Sequence, residues 1–141
     1  MQRVDLDTSI GYALKRTATA LRTAMDAALR PLGLSVPQYS CLEILGARPD
    51  VSNADLARGV FVTRQAMHQL LGGLQEAGLV SGSGQGRVQR YSLTADGQRT
   101  LAAASAAVAA VEEQMLSGLP ASERRRLLSD LEKCTAALHE D

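Results

Sequence analysis

The sequence predicts a mainly α-helical fold with one small β-hairpin. Apolar residues recur at helical spacing along most of the 141 residues, whereas strand-like alternation is confined to residues 79–93. The core must be built from Leu, Ala and Val, because the chain has only three Tyr, one Phe and no Trp. A core of such small aliphatic side chains favours closely packed helices.

Two helices are predicted in the first third of the chain. The first spans residues 9–30 and is ended by Pro31 and Gly33. The second begins at Ser35 and continues through Ala47. The apolar positions of the first helix lie close to a heptad stripe formed by Ile10, Leu14, Thr17, Leu21, Met25 and Leu32.

Two shorter helices joined by a tight turn follow. Ser52 and Asp55 form a variant of the capping box that opens the first, and Gly59 is expected to let the chain leave it. Thr63 is a favourable N-cap for the second, and Gly78 is placed to end it. The buried face of the second helix is predicted to comprise Ala66, Leu70, Leu71, Leu74 and Ala77.

After Gly78 the spacing of the apolar residues changes from helical periodicity to strand-like alternation. Residues 79–80 begin one strand, and residues 87–93 form its partner. Residues 81–86 between them consist mostly of glycine and serine, which predicts a flexible turn. This hairpin carries Arg87 and completes the element order of a winged helix-turn-helix.

Two helices close the chain. Thr94 caps a long alanine-rich helix predicted to reach about Gly118, and a turn at Pro120 separates it from a last helix over residues 123–138. The arginines at residues 124–126 are expected to be a solvated start of that last helix.

The apolar stripes on the first and last helices need partners that one small lobe does not supply. We therefore predict a homodimer with two-fold symmetry. In this single chain of residues 1–141, residues 1–34 and 100–141 would form a helical dimerisation region, and residues 35–99 the winged helix-turn-helix DNA-binding region.

One face of the second helix of the turn carries side chains that can hydrogen-bond to base edges. They lie in its first two turns, the part of a recognition helix that enters the major groove. The arginines of the hairpin suit phosphates or a narrow minor groove. The alternative is a solvated helix face beside strand-edge arginines. The candidate DNA-binding residues are Ser52, Asn53, Thr63, Arg64, Gln65, His68, Gln69, Arg87 and Arg90.

Charge supports this interpretation only modestly. Residues 52–99 carry five arginines against three acidic residues, a net charge of +2, and residues 100–141 carry four basic against seven acidic residues, a net charge of −3. The basic excess therefore lies in the region proposed to contact phosphates.

The end of the recognition helix and the start of the next one resemble a known family. Leu74 followed by residues 77–80, then residues 93–97, with Arg87 six residues before Leu93, resemble the MarR family of bacterial transcription regulators over nearly the whole chain. This resemblance implies a repressor that binds a pseudo-palindromic double-stranded DNA operator as a homodimer.

The resemblance also implies a small aromatic or phenolic effector, bound between the dimerisation and DNA-binding regions. Tyr12 and Tyr39 lie near where the family has this cleft, and they are the candidate effector-binding residues. The alternative for both is an ordinary core tyrosine.

Other classes of function are not indicated. The sequence has no nucleophile elbow, phosphate loop or zinc-ligand spacing, so we expect no enzyme, no cofactor and no metal site. It has no membrane-length apolar run and no signal-peptide pattern, which predicts a cytoplasmic protein without a membrane partner.

Two alternatives remain open at this point. Cys41 lies in an apolar helix and Cys134 on the stripe of the last helix, so both are expected to be packing residues. A cysteine-based redox-sensing regulator is the alternative. A helical adaptor that binds only protein is the other.

Overall fold

The computed structural model describes residues 3–84 and 89–139. The helices are α1 (Ile10–Leu29), α2 (Val36–Ala47), α3 (Asn53–Val60), α4 (Arg64–Glu76), α5 (Ala95–Met115) and α6 (Ala121–Leu138), with a 3₁₀ turn at Arg30–Leu32 after α1. The strands are β1 (Val51–Ser52), β2 (Val80–Ser83) and β3 (Arg90–Leu93). The predicted mainly α fold with a small β component is confirmed.

Five helices begin where a serine or threonine accepts a backbone amide hydrogen. At α2 the arrangement is reciprocal: the Gln38 amide donates to Ser35 Oγ at 3.2 Å, and the Ser35 amide donates to Gln38 Oε1 at 2.9 Å. Such caps satisfy amides that have no partner inside the helix. The five cap residues are Ser9, Ser35, Ser52, Thr63 and Thr94.

The sheet has three antiparallel strands in the order β1, β3, β2. The sequence did not predict β1, which has only two residues and pairs Val51 with Tyr91. The predicted turn over residues 81–86 was also wrong in part, because residues 81–83 belong to β2 and Ser83 pairs with Arg90. Ladder hydrogen bonds join backbone groups, so small residues can extend an exposed strand.

The expected exit of α3 at Gly59 was wrong. The helix continues through Val60, and Phe61 ends it in the left-handed conformation with φ 62° and ψ 44°. Gly59 is small for a different reason: a Cβ atom there would lie 2.6 Å from Ile44 Cδ1. The glycine therefore permits close packing of α3 on α2.

The ends of the last two helices differ from those predicted. The helix α5 stops at Met115, short of Gly118, and α6 begins at Ala121. The side chain of Arg124 lies in this joint, where Nε donates to the Leu119 carbonyl at 2.8 Å and one terminal nitrogen to the Leu116 carbonyl at 3.0 Å. Arg124 is thus not the solvated residue that was expected.

The core lies between α2, α3, α4, the sheet and the middle of α5. Met67 is fully buried, although it was not among the predicted core positions, and Ala77 is exposed. The other buried apolar residues are Leu29, Leu34, Tyr39, Cys41, Leu42, Leu45, Leu56, Ala57, Leu71, Leu74, Val80, Tyr91 and Ala104.

The last helix has no buried residue in the protomer. Leu127 and Leu131 are each 38 % exposed and Leu128 is 61 % exposed. On α1, Ile10 is 82 % exposed. These apolar surfaces lie on the two segments that were predicted to form the dimerisation region.

Candidate nucleic-acid interface

The helix α4 presents the predicted polar face to solvent. The orientation of the helix about its own axis is set by Met67, Leu71 and Leu74, whose side chains are at most 1 % exposed. Side chains on the opposite face are therefore exposed. These exposed side chains are Arg64, Gln65, His68 and Gln69.

The N-terminus of α4 is exposed together with that face. Thr63 Oγ1 accepts the Ala66 amide at 3.0 Å, so the cap hydroxyl orients the first turn. Free amides and the helix dipole make such an end favourable for a DNA phosphate. Arg64 is the first helical residue and extends from this end.

The start of α3 contains Ser52 and Asn53. Ser52 Oγ accepts the Asp55 amide at 3.2 Å, and hydrogen bonding with Ser52 lowers the pKa of the Asp55 carboxyl group. Asn53 Oδ1 is buried and has no hydrogen-bond partner among the described residues. The Ser52 side chain therefore caps the helix, whereas the Asn53 amide oxygen finds no partner within residues 3–84 and 89–139.

The structure brings Arg90 next to the start of α3. Arg90 pairs with Ser52 across β1 and β3, and its Nη1 donates to the Asp50 carbonyl at 3.2 Å. One edge of the guanidinium is thus held by the backbone, while the residue remains exposed. Arg87, the predicted wing arginine, lies outside the described residues.

The two candidate effector-binding tyrosines lie in different environments. Tyr12 is 39 % exposed and lines a shallow groove of about 460 Å³ on α1, with Lys15 and Arg16 beside it. Tyr39 is 4 % exposed, and burial, followed by hydrogen bonding to Glu43, raises the pKa of its hydroxyl to about 12. The groove that Tyr12 lines does not include Tyr39.

A larger hollow lies where α2, β3 and α5 meet. Its volume is about 520 Å³, and its walls include Leu45, Leu93 and Leu101. The polar groups in its lining come from Ser92, Gln98 and Ser105 and carry no charge.

The two cysteines differ in exposure. Cys41 is fully buried, and desolvation raises the pKa of its thiol to about 12. Cys134 is exposed in the protomer, so the expectation that it packs is not met within one chain. In the described part of the chain, no group of three His, Cys, Asp or Glu residues is placed to hold a metal ion.

Phe61 was missed by the sequence analysis, and the environment predicted for Arg124 was wrong. Phe61 lies in the turn before α4, and Arg124 forms the joint between α5 and α6, where Nη1 also contacts both oxygens of Glu113 at 3.0 and 2.9 Å. Nothing in the three consecutive arginines at residues 124–126 indicated that the side chain of Arg124 contacts the end of α5. The turn length could have indicated that residue 61 needs a positive φ.

No helix in the described ranges combines the length and apolarity needed to cross a bilayer.

Comparison with known proteins gives consistent matches. A model described as the MarR family matches residues 32–88. The HTH-type transcriptional repressor Rv2887 of Mycobacterium tuberculosis is 39 % identical over 130 residues, covering 90 % of this chain and 94 % of the relative.

Solved structures of the same mycobacterial protein match in three dimensions. Its complex with DNA has a TM-score of 0.77 and 38 % identity, covering 91 % of this chain and 98 % of that one. Its complex with salicylic acid has a TM-score of 0.75 and 39 % identity, covering 91 % of this chain and 97 % of that one.

Proposed function

Because this chain belongs to the MarR family, we propose that it is a homodimeric transcriptional repressor that binds double-stranded DNA in a sequence-specific, ligand-responsive way. Its operator would be pseudo-palindromic, since a two-fold dimer presents two identical recognition helices to two half-sites. The protein works in the cytoplasm, where it reaches the chromosome.

The observation that carries this proposal is the exposed polar face of α4. Buried Met67, Leu71 and Leu74 hold the helix, so its N-terminal side chains need no rearrangement to enter a major groove. Arg64 can donate two hydrogen bonds to a guanine edge, and Gln65 or Gln69 can pair with adenine. His68 completes this face.

The remaining DNA contacts would be to the backbone. The N-termini of α3 and α4, with Ser52, Asn53 and Thr63, offer amides to phosphates. Arg90, with part of its guanidinium exposed beside the start of α3, and Arg87 of the wing would reach phosphates or the minor groove.

The dimer would be built from residues 1–34 and 100–141, and residues 35–99 would bind DNA. Support comes from α6, which buries no residue in the protomer and exposes Leu127, Leu128 and Leu131. Covering these side chains with a second copy removes apolar surface from water.

A small aromatic acid or phenol is the proposed effector, supported by the salicylic acid complex of the mycobacterial relative. Tyr12 would stack on its ring, and Lys15 or Arg16 would neutralise a carboxylate. Tyr39 remains a candidate contact of the effector, although it lies in the core and is 4 % exposed. The effector would act by favouring a dimer spacing that does not match the half-sites.

The proposal is tested by selecting an operator from random duplexes and titrating it at about 50 and about 200 mM salt. A repressor that neutralises several phosphates should lose affinity by orders of magnitude between the two concentrations. Sedimentation of the free protein should give twice the chain mass. A helical adaptor would select no sequence at either salt concentration, and that result would replace the proposal with the adaptor.

A further inference from the structure

Phe61 is the most exposed large apolar side chain in the described part of the chain, at 93 %. Its backbone has φ 62° and ψ 44°, a left-handed conformation in which glycine or asparagine is usual. The turn is held without the ring: the Val62 amide donates to the Ala57 carbonyl at 3.0 Å, and Val62 packs partly buried against the core. The fold therefore uses the backbone of Phe61 and leaves its side chain in water.

We propose that the ring of Phe61 reads DNA sequence by contacting the methyl group of one thymine in each half-site. The inference rests on the proposed function, in which α4 occupies the major groove. Phe61 lies two residues before the Thr63 cap and three before Arg64, so this exposed residue is next to the end of α4 that would enter the groove.

Thymine is the occupant that the chemistry favours. Its C5 methyl is the apolar group that base edges display in the major groove, and phenylalanine is among the side chains that contact it. An aromatic ring has no charge to pair with a phosphate, so it does not contribute to the salt-dependent part of binding. Burial of ring and methyl removes two apolar surfaces from water.

A protein partner fits this surface less well. The other large apolar side chains that are exposed in the described residues lie on the N-terminal segment, on α1 and its 3₁₀ turn, and on α5 and α6. Phe61 lies on none of these elements. Its immediate neighbours Val60 and Val62 pack partly buried against the core. The next two residues, Thr63 and Arg64, are polar and exposed. A protein partner would need a contiguous apolar patch on this surface, whereas a single aromatic ring is enough to cover one thymine methyl group.

The test combines two variants with methyl-deleted operators. In Phe61→Asn the new residue tolerates the left-handed backbone but removes the ring, and Phe61→Tyr keeps the ring. Each thymine of the selected operator is replaced in turn by deoxyuridine, which lacks only the methyl group. Binding of every protein to every operator is titrated, and thermal unfolding and sedimentation are recorded for each protein.

The native protein should lose about fourfold in affinity for each half-site in which the contacted methyl is removed, the amount expected for one buried carbon. F61N should bind the intact operator as weakly as the native protein binds the methyl-deleted one, and should be insensitive to that deletion. F61Y should regain the sensitivity. F61N should remain dimeric and unfold at the native temperature or above.

Three results would overturn the inference. The first is that F61N binds the operator as tightly as the native protein. The second is that F61N binds more weakly but is as sensitive as the native protein to the removal of every thymine methyl group. The third is that F61N sediments as a monomer. If the native protein selects no operator and shows no salt dependence, the proposed function fails as well. If the native protein selects an operator and binds it in a salt-dependent way, but F61N does not change the effect of removing any thymine methyl group, only the proposed role of Phe61 is refuted.

Discussion

A Cβ atom at Gly97 would overlap the backbone carbonyl oxygen of Leu79, so the start of α5 touches the chain that leaves α4 backbone to backbone. Thr94 adds two hydrogen bonds here, from its amide to the Leu79 carbonyl at 3.1 Å and from its hydroxyl to the Gly78 carbonyl at 2.6 Å. The long helix and the recognition helix are therefore joined rigidly. A displacement of α5 in the dimer would move α4 with it.

Gly97→Ala should lower the free energy of unfolding by about 1–3 kcal/mol, because the new methyl meets a backbone atom that cannot rotate away. Gly72→Ala is the matched control. Gly72 is also helical, but nothing lies within 4 Å of a Cβ atom there, so alanine should stabilise by about 0.5–1 kcal/mol. Urea unfolding measures both, and equal stability of the two variants would contradict the close approach of the two backbones.

Arg64→Ala should cost about 1–3 kcal/mol on the best operator and relax the preference at one base pair of each half-site. The guanidinium at the first residue of α4 can make two hydrogen bonds to a guanine, and alanine cannot. Titration against single-base operator variants measures both effects. Arg99→Ala, which removes an exposed arginine paired with Asp96 on α5, should leave the base preference unchanged. An even loss over all sequences would show that Arg64 reads no base.

Arg87→Ala should weaken binding to matched and mismatched operators by a similar factor. A phosphate is the same in every sequence, so the weakening carries no base preference. The slope of log affinity against log salt should become shallower by about one unit for each phosphate that the variant no longer neutralises. Titration at several salt concentrations decides the matter, and an unchanged affinity at all of them would mean that the wing does not touch DNA.

The Cys41 thiol should react with Ellman's reagent only after unfolding. Cys41 is fully buried, and its pKa of about 12 leaves almost no thiolate near neutrality. Cys134 is exposed in the protomer but lies on the helix that is proposed to pack in the dimer, so Cys134→Ser is used to separate its reaction from that of Cys41. Peroxide should leave operator binding unchanged in both proteins. Peroxide-driven release that depends on either cysteine would favour the redox-sensing alternative.

Tyr39 should make the fold less stable at alkaline pH. Burial raises its pKa from 10.0 to about 12, so the folded state holds the hydroxyl proton more tightly than the unfolded state does. The resulting stabilisation is complete below pH 10 and is lost as the pH rises towards 12. In Tyr39→Phe the free energy of unfolding should fall less over this range. Cys41 is present in both proteins, so the difference between their free energies of unfolding reports on Tyr39. Parallel pH profiles would contradict the raised pKa.

Local signals predicted most of the elements correctly. Ser35 opens α2 as expected, with Gln38 completing a full capping box, and Thr63 and Thr94 cap the helices that they were expected to open. Such caps depend on residues three positions apart, so the sequence contains the whole interaction. The exposed face of α4 was predicted for the same reason, because helical spacing determines which side chains share a side.

The predictions were wrong where the conformation of a residue depends on contact with a residue that is distant in the sequence. Gly59 looked like a helix terminator, but Ile44 of α2 requires its small size, and Phe61 takes the left-handed position instead. The two-residue strand β1 exists because Tyr91 and Arg90 of β3 pair with it. Arg124 is ordered by carbonyls at the end of α5.

The sequence by itself determined the order of helices and hairpin, the caps, and the polar face of the recognition helix, because these follow from spacing along one segment. Only the tertiary structure decided that Arg90 lies beside Ser52, that Gly97 abuts Leu79, and that Phe61 remains in solvent. These relations join residues far apart in the chain or depend on the packing around a turn. They are set by packing and sheet register, which no local pattern specifies.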